Sequence, residues 1–145
     1  MKSKKTEFLF VNKTKKDIAG VVFLELIKKT QKEFPKLKNK KISIILINGQ
    51  EMELINKKYR QEKGQTDTIT FAFNETDNFP GENIFGEVFL CIPYIQKKAK
   101  ETKKDFSSEL SYIFIHSLLH LLGFDHQTKA QEKLMDQKIK KILNI

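Results

Sequence analysis

The 145-residue chain carries one cysteine, one arginine and three histidines, and it has no long apolar run. A lone Cys91 excludes an internal disulfide. Set in Val88-Phe89-Leu90-Cys91-Ile92, it reads as a small buried hydrophobe, which a reducing compartment allows. No stretch approaches the roughly 18 consecutive apolar residues that mark a membrane-spanning helix. The nearest, Leu110 to Leu122, is interrupted by two serines and two histidines. The N-terminal MKSKKTEFLFV has lysines but no apolar h-region, so no signal peptide, no membrane partner and a cytoplasmic location are expected. No repeat or linker breaks the chain, and one domain over residues 1–145 is expected.

What is abundant is lysine. Basic residues number 27 against 18 acidic ones, for a net charge of +9, and Arg60 alone among the 27 is not lysine. Such a balance favours polyanionic partners, nucleic acid first. The chain is also rich in Ile and Asn, so part of the lysine excess reads as compositional bias on a solvated surface. The run Lys138–Lys141 is read that way, with RNA phosphates as its alternative contact.

Four segments have strand character: Glu7–Val11, Ile42–Ile47, Thr68–Phe73 and Ile84–Cys91. Ile42–Ile47 is nearly all β-branched or Leu, as in a strand covered on both faces. Five segments read as helices. The first spans about Asp17 to Phe34, with Ala19, Val22, Phe23, Leu26 and Thr30 on one face and Pro35 as its stop. The second opens at Asn48, with Glu51 in the capping-box position, and runs to about Arg60. The third begins near Pro93. The fourth runs from about Ser107 to Leu122 and stops at Gly123. The fifth starts at Thr128, with Gln131 three residues on, and carries Leu134, Met135, Ile139 and Ile142. The order β-α-β-α-β-β-α-α-α predicts an α/β fold of the mixed α+β kind, with one four-stranded mixed sheet and about five helices. The loop Glu75–Glu82, with Pro80 and Gly81, is read as a mobile flap.

All three histidines fall in His116-Ser-Leu-Leu-His120-Leu-Leu-Gly123-Phe-Asp-His126. His116 and His120 are one helical turn apart on the same face, with Cβ atoms roughly 5–6 Å apart, so two imidazoles can converge on one ion. Gly123 can take the left-handed conformation that ends a helix, and the chain can then return His126 to the same point. Isolated histidines are more often core or surface residues, but this spacing favours a metal centre. The expected cofactor is one divalent ion, zinc by its ligand set, with a fourth position left for water. Imidazole also suits nickel, copper or iron. The central helix is thus zincin-like. Metzincin proteases share the spacing but have Glu after the first histidine as general base. Here that residue is Ser117, too weak a base for the task.

The run HSLLHLLGFDH resembles the H-G-x-L-H-L-x-G-[YF]-D-H signature of the YbeY family of endoribonucleases and rRNA maturation factors. Ile55-Asn56-Lys57-Lys58-Tyr59-Arg60 is similar to that family's L-N-x-x-[YF]-R helix, Thr66-Asp67-Thr68-Ile69-Thr70-Phe71 to its T-D-V-L-S-F strand, and Gly86-Glu87-Val88 to its G-[DE]-I strand opening. Together these motifs cover about residues 46 to 126 in matching order. The chain departs from the pattern at Ser117, where Gly is usual, at Gln65, where Pro is usual, and at Phe124, often Tyr. None of these removes a proposed ligand.

The resemblance implies a metal-dependent endoribonuclease specific for single strands. Its setting would be maturation of the small-subunit rRNA 3′ end and ribosome quality control, with rRNA, the ribosome and small-subunit ribosomal proteins as partners. Arg60 is the catalytic candidate. Its guanidinium can grip phosphate in a bidentate way, and the family pattern places arginine there; from the residues alone, a surface arginine at a helix end is an equal reading. Asp125 can orient an imidazole or stabilise the turn after Gly123, and Asp67 has the same two readings. Glu87 can accept a proton or face solvent. Two other readings stay open: a non-catalytic ribosome-assembly or RNA-binding factor whose metal only clamps the Gly123 turn, and a metallopeptidase-like hydrolase.

Overall fold

The computed structural model describes residues 8–73 and 84–145. The expected flap Glu75–Glu82 and the first residue of the Glu7–Val11 strand lie outside them. Among the described residues, strands β1 (Phe8–Asn12), β2 (Lys41–Ile47), β3 (Thr68–Ala72) and β4 (Ile84–Cys91) form one sheet in the order β1-β2-β4-β3. β1, β2 and β4 are parallel, and β3 runs antiparallel to β4 as the last strand in that order. The helices are α1 (Gly20–Glu33), α2 (Gly49–Ile55), α3 (Ile92–Glu101), α4 (Phe106–Leu121) and α5 (Lys129–Leu143). This is the mixed α/β architecture that the order of elements predicts.

β2 explains the layering. Alternate side chains of a strand point to opposite faces. Ile42, Ile44 and Leu46 enter the larger core with α1, α4 and α5, while Ile45 and Ile47 enter a smaller one with Met52 of α2 and Cys91. α4 runs through the larger core, and Leu110, Ile113, Phe114, Ile115, Leu118, Leu119 and Leu121 are all buried. From Tyr112 to Leu121, only a stripe at Tyr112, His116 and His120, each four residues from the next, is left partly open.

Three local features differ from the sequence expectation. α1 begins at Gly20, not Asp17, because Ala19 is its N-cap and is extended (ψ 139°); upstream, Asn12 closes an Asx-type turn, with Thr14 N–H donating to Asn12 Oδ1 (2.9 Å) and Asn12 Nδ2 to Lys16 O (2.8 Å). Its buried face takes in Ile27 and Gln31 and leaves Ala19 exposed. At α2, Asn48 Oδ1 accepts from Glu51 N–H (3.0 Å), but Glu51 pairs with Lys13 (2.8 Å), so only half of the capping box forms. Beyond Ile55 the helix widens into a π-type turn over Asn56–Arg60, ending at Gln61 with φ 55°. Such turns are uncommon and often mark functional positions.

Gly86 sets the distance between α4 and the sheet. A Cβ there would collide with the Leu121 side chain and lie 2.9 Å from the Phe71 carbonyl oxygen. Gly86→Ala is therefore expected to cost about 1–3 kcal/mol by overpacking, read as a lower urea midpoint at unchanged slope. An unchanged midpoint would show that α4 can move away from the sheet without cost.

Candidate metal centre

α4 carries His116 and His120 on its partly open stripe, and its end is built to return His126. Gly123 N–H donates to His120 O and Phe124 N–H to Leu119 O, both at 3.0 Å. That pair of bonds is a Schellman motif. Gly123 holds φ +101°, and a Cβ there would meet no atom within 4 Å, so backbone conformation alone calls for glycine. Two residues past His126 the chain is fixed again. Thr128 Oγ1 accepts from Gln131 N–H, and Gln131 Oε1 accepts from the N–H groups of Thr128 and Gln127. Here both halves of the capping box form.

The turn is also clamped from the side. Phe124 meets Phe34, at the end of α1, edge-on at 5.4 Å, and Lys138 of α5 sits 5.5 Å and 5.7 Å from the two ring centroids. Cation–π contacts of this kind contribute about 0.5–1 kcal/mol when exposed. Asp125 Oδ1 accepts the His126 backbone N–H at 2.7 Å, which is the turn-stabilising reading of that residue.

The result is three imidazoles whose nearest nitrogens all lie within 4.8 Å of one another. Ring centroids are 4.7, 5.4 and 4.8 Å apart. A tetrahedral ion with bonds of about 2.0–2.1 Å needs nitrogens about 3.3 Å apart, so small side-chain rotations close the site. The electrostatics fit too. Burial, then His120 and His126, lowers the His116 pKa to about 4, and burial followed by His126 lowers that of His120. Both are neutral near pH 7, the form that ligates a metal. Three side-chain donors leave room for water or substrate. The three residues can hold a metal ion.

They lie in a cleft of about 830 Å³ along β3. Arg60, Asp67, Lys98, Tyr112 and Asp136 line the same cleft. Arg60 is nearly half exposed and only loosely tied, 3.6 Å from Glu62. Asp67 uses one oxygen to accept Thr68 N–H (2.7 Å) and the other to pair with Lys98 (3.2 Å). It is thus a loop-fixing residue and an anchor for Lys98. Glu87 is not among the lining residues. Its neighbours Gly86 and Val88 face α4, so strand alternation turns Glu87 to the other face of the sheet, where burial raises its pKa. Ser117 is buried. Its hydroxyl donates to Ile113 O (3.0 Å) and lies 3.0 Å from Thr68 Oγ1, so it packs α4 on the sheet and stands away from the imidazoles.

Sequence reasoning missed another part of the cleft wall. Tyr112 donates to Asp136 Oδ1 at 2.6 Å, and Lys140 pairs with the other oxygen at 3.1 Å. The Tyr112 hydrogen bond is the main reason that the Asp136 pKa is lowered. The spacing of four between Tyr112 and His116 carried a signal for this wall; nothing local pointed to Asp136.

Comparison with known proteins agrees with these features. A family model described as Endoribonuclease YbeY matches residues 7–145. An Endoribonuclease YbeY of Aliarcobacter butzleri is 35% identical over 105 residues, covering 71% of this chain and 73% of the relative. One from Fusobacterium nucleatum is 30% identical over 105 residues. That match covers 71% of this chain and 65% of the relative, just under two thirds of its length. The solution structure of a Thermotoga maritima protein, 22% identical, superposes with a TM-score of 0.63 over 94% of this chain and 89% of the other, a likeness of fold.

Two outcomes are expected. Gly123→Ala should cost about 1–3 kcal/mol from backbone strain alone and weaken zinc binding in a competitive-chelator titration; unchanged stability and affinity would show that the turn does not need glycine. The second concerns the metal-free protein. With its folded-state pKa depressed to about 4 from an ordinary 6.5, His116 is neutral in both states above pH 6.5. Below that, the unfolded chain takes up a proton that the folded site refuses, so stability is lost as pH falls towards 4. The melting-temperature advantage of the wild type over His116→Gln should shrink across that window; parallel profiles would contradict the burial argument.

Proposed function

The chain belongs to the endoribonuclease YbeY family, and we propose on that footing that it is a metal-dependent endoribonuclease whose single domain cuts single-stranded RNA. Its setting in this reading is the cytoplasm, in maturation of the small-subunit rRNA 3′ end and ribosome quality control, alongside the ribosome and small-subunit ribosomal proteins. The observation that carries the reading is the gathering of three imidazoles and the chain's one arginine along a single cleft. Among the described residues, no helix is long and apolar enough to cross a membrane.

Zinc is the ion assigned to His116, His120 and His126, where it would supply Lewis acidity towards a phosphate oxygen and an acidified water. The rest of the chemistry belongs to the chain. Arg60 grips non-bridging phosphate oxygens with its planar fork and stabilises charge that builds on them, replacing its long contact to Glu62. Lys98, paired with Asp67 at 3.2 Å, neutralises that carboxylate in the cleft. Elsewhere in the cleft lining, Asp136 is neutralised by Lys140 and tethered by Tyr112, so it presents little bare negative charge to the RNA backbone. Because the cleft follows β3, an edge strand among the described residues, a single strand can pass along it.

The test is cleavage of an unstructured RNA. Chelation and His116→Ala should each abolish it. Arg60→Ala and Arg60→Lys should both lower the rate by roughly 10²–10³-fold, because lysine keeps the charge and loses the fork. Undiminished cleavage by the chelated protein or by His116→Ala would overturn the reading. Full activity in Arg60→Ala would remove that residue from the chemistry.

A further inference from the structure

Tyr59 is 57% exposed and is the one aromatic among the exposed large hydrophobics of the described residues. It stands beside Arg60 in the π-type turn. Its ring is not loose. It meets Phe71 edge-on at 5.2 Å, and Phe71 in turn meets Phe89 at 5.8 Å and 89°, so the ring is backed by the smaller core. Phe71 also lines the cleft that holds the imidazoles and Arg60. Lys58 places its ammonium 5.2 Å from the Tyr59 ring centroid. A large ring left exposed next in the chain to Arg60, which lines the cleft, offers π surface to a ligand that Arg60 holds.

We propose that Tyr59 is a stacking platform for one unpaired nucleobase of the RNA strand, the nucleotide next to the phosphate that Arg60 holds. This rests on the RNA reading above and adds to it a base subsite. Stacking needs a flat π surface and an adjacent cation for the backbone, and Tyr59 with Lys58 and Arg60 supplies both. A base inside a duplex is already stacked on both sides and cannot reach the ring. The subsite therefore selects single strands by geometry and favours purines, whose faces are larger, without reading sequence through hydrogen bonds.

The experiment measures binding of a fluorescent 2′-O-methyl oligoadenylate to the zinc-loaded protein by anisotropy. Comparison oligonucleotides are an oligouridylate and an oligoadenylate with abasic positions. Because Tyr59 is exposed and its variants keep the buried face, Tyr59→Phe and Tyr59→Leu should both fold. Tyr59→Leu should bind oligoadenylate roughly 10-fold more weakly, within the range for one stacked base, and Tyr59→Phe should bind like the wild type. Wild type and Tyr59→Leu should bind the abasic strand equally. Equal binding of oligoadenylate by wild type and Tyr59→Leu would overturn the stacking subsite while leaving the RNA reading intact. Absence of binding by the wild type to every strand would overturn both.

Discussion

Two of the three imidazoles ride on a helix, and the third can join them only if that helix ends abruptly. α4 stops at Leu121, and Gly123 turns the chain at φ +101°, a conformation costly for a residue with a Cβ. Its N–H and that of Phe124 close the last turn on His120 and Leu119. Five residues beyond Gly123 the Thr128–Gln131 capping box starts the next helix. His126 is thereby pinned between two short-range constraints. Without the break, a histidine at position 126 would sit six residues from His120, more than one and a half turns on and off its face.

The rest of the molecule supports that helix end. α4 lies close to the sheet because Gly86 leaves space for Leu121, and because the buried Ser117 meets Thr68 across the interface. The apolar sides of α4 are buried in the larger core, so its open stripe has one orientation and presents Tyr112, His116 and His120 to the β3 edge. Phe34, Phe124 and Lys138 tie the turn to α1 and α5. The same burial that fixes the helix keeps His116 unprotonated, so packing and ligand chemistry act in the same direction.

What could be read in the sequence was what is local. The i, i+4 histidines, the glycine stop, the Thr128 cap and the doubly covered β2 are each decided within about ten residues, and each is present in the structure. The wall formed by Tyr112 and Asp136 joins residues 24 apart, and the Lys98–Asp67 pair spans 31. No periodicity encodes such contacts. Glu87 was a candidate because carboxylates do chemistry, but strand parity turns it from the cleft. The start of α1 was misplaced because Ala19, which fits the helical face in sequence, is the extended N-cap instead. The π-type turn at Asn56–Arg60 left no signature apart from the buried Asn56, whose Nδ2 donates to Gly64 O at 3.1 Å. Arg60 stood out by rarity, and the structure adds that it shares a cleft with the histidines.

X-ray absorption at the metal edge of the zinc-loaded protein tests the central claim most directly, because it counts the donors around the ion. The account predicts three imidazole nitrogens at about 2.0–2.1 Å with the remaining position filled by oxygen. A first shell with fewer than three imidazoles, or one containing the Cys91 sulfur, would contradict it.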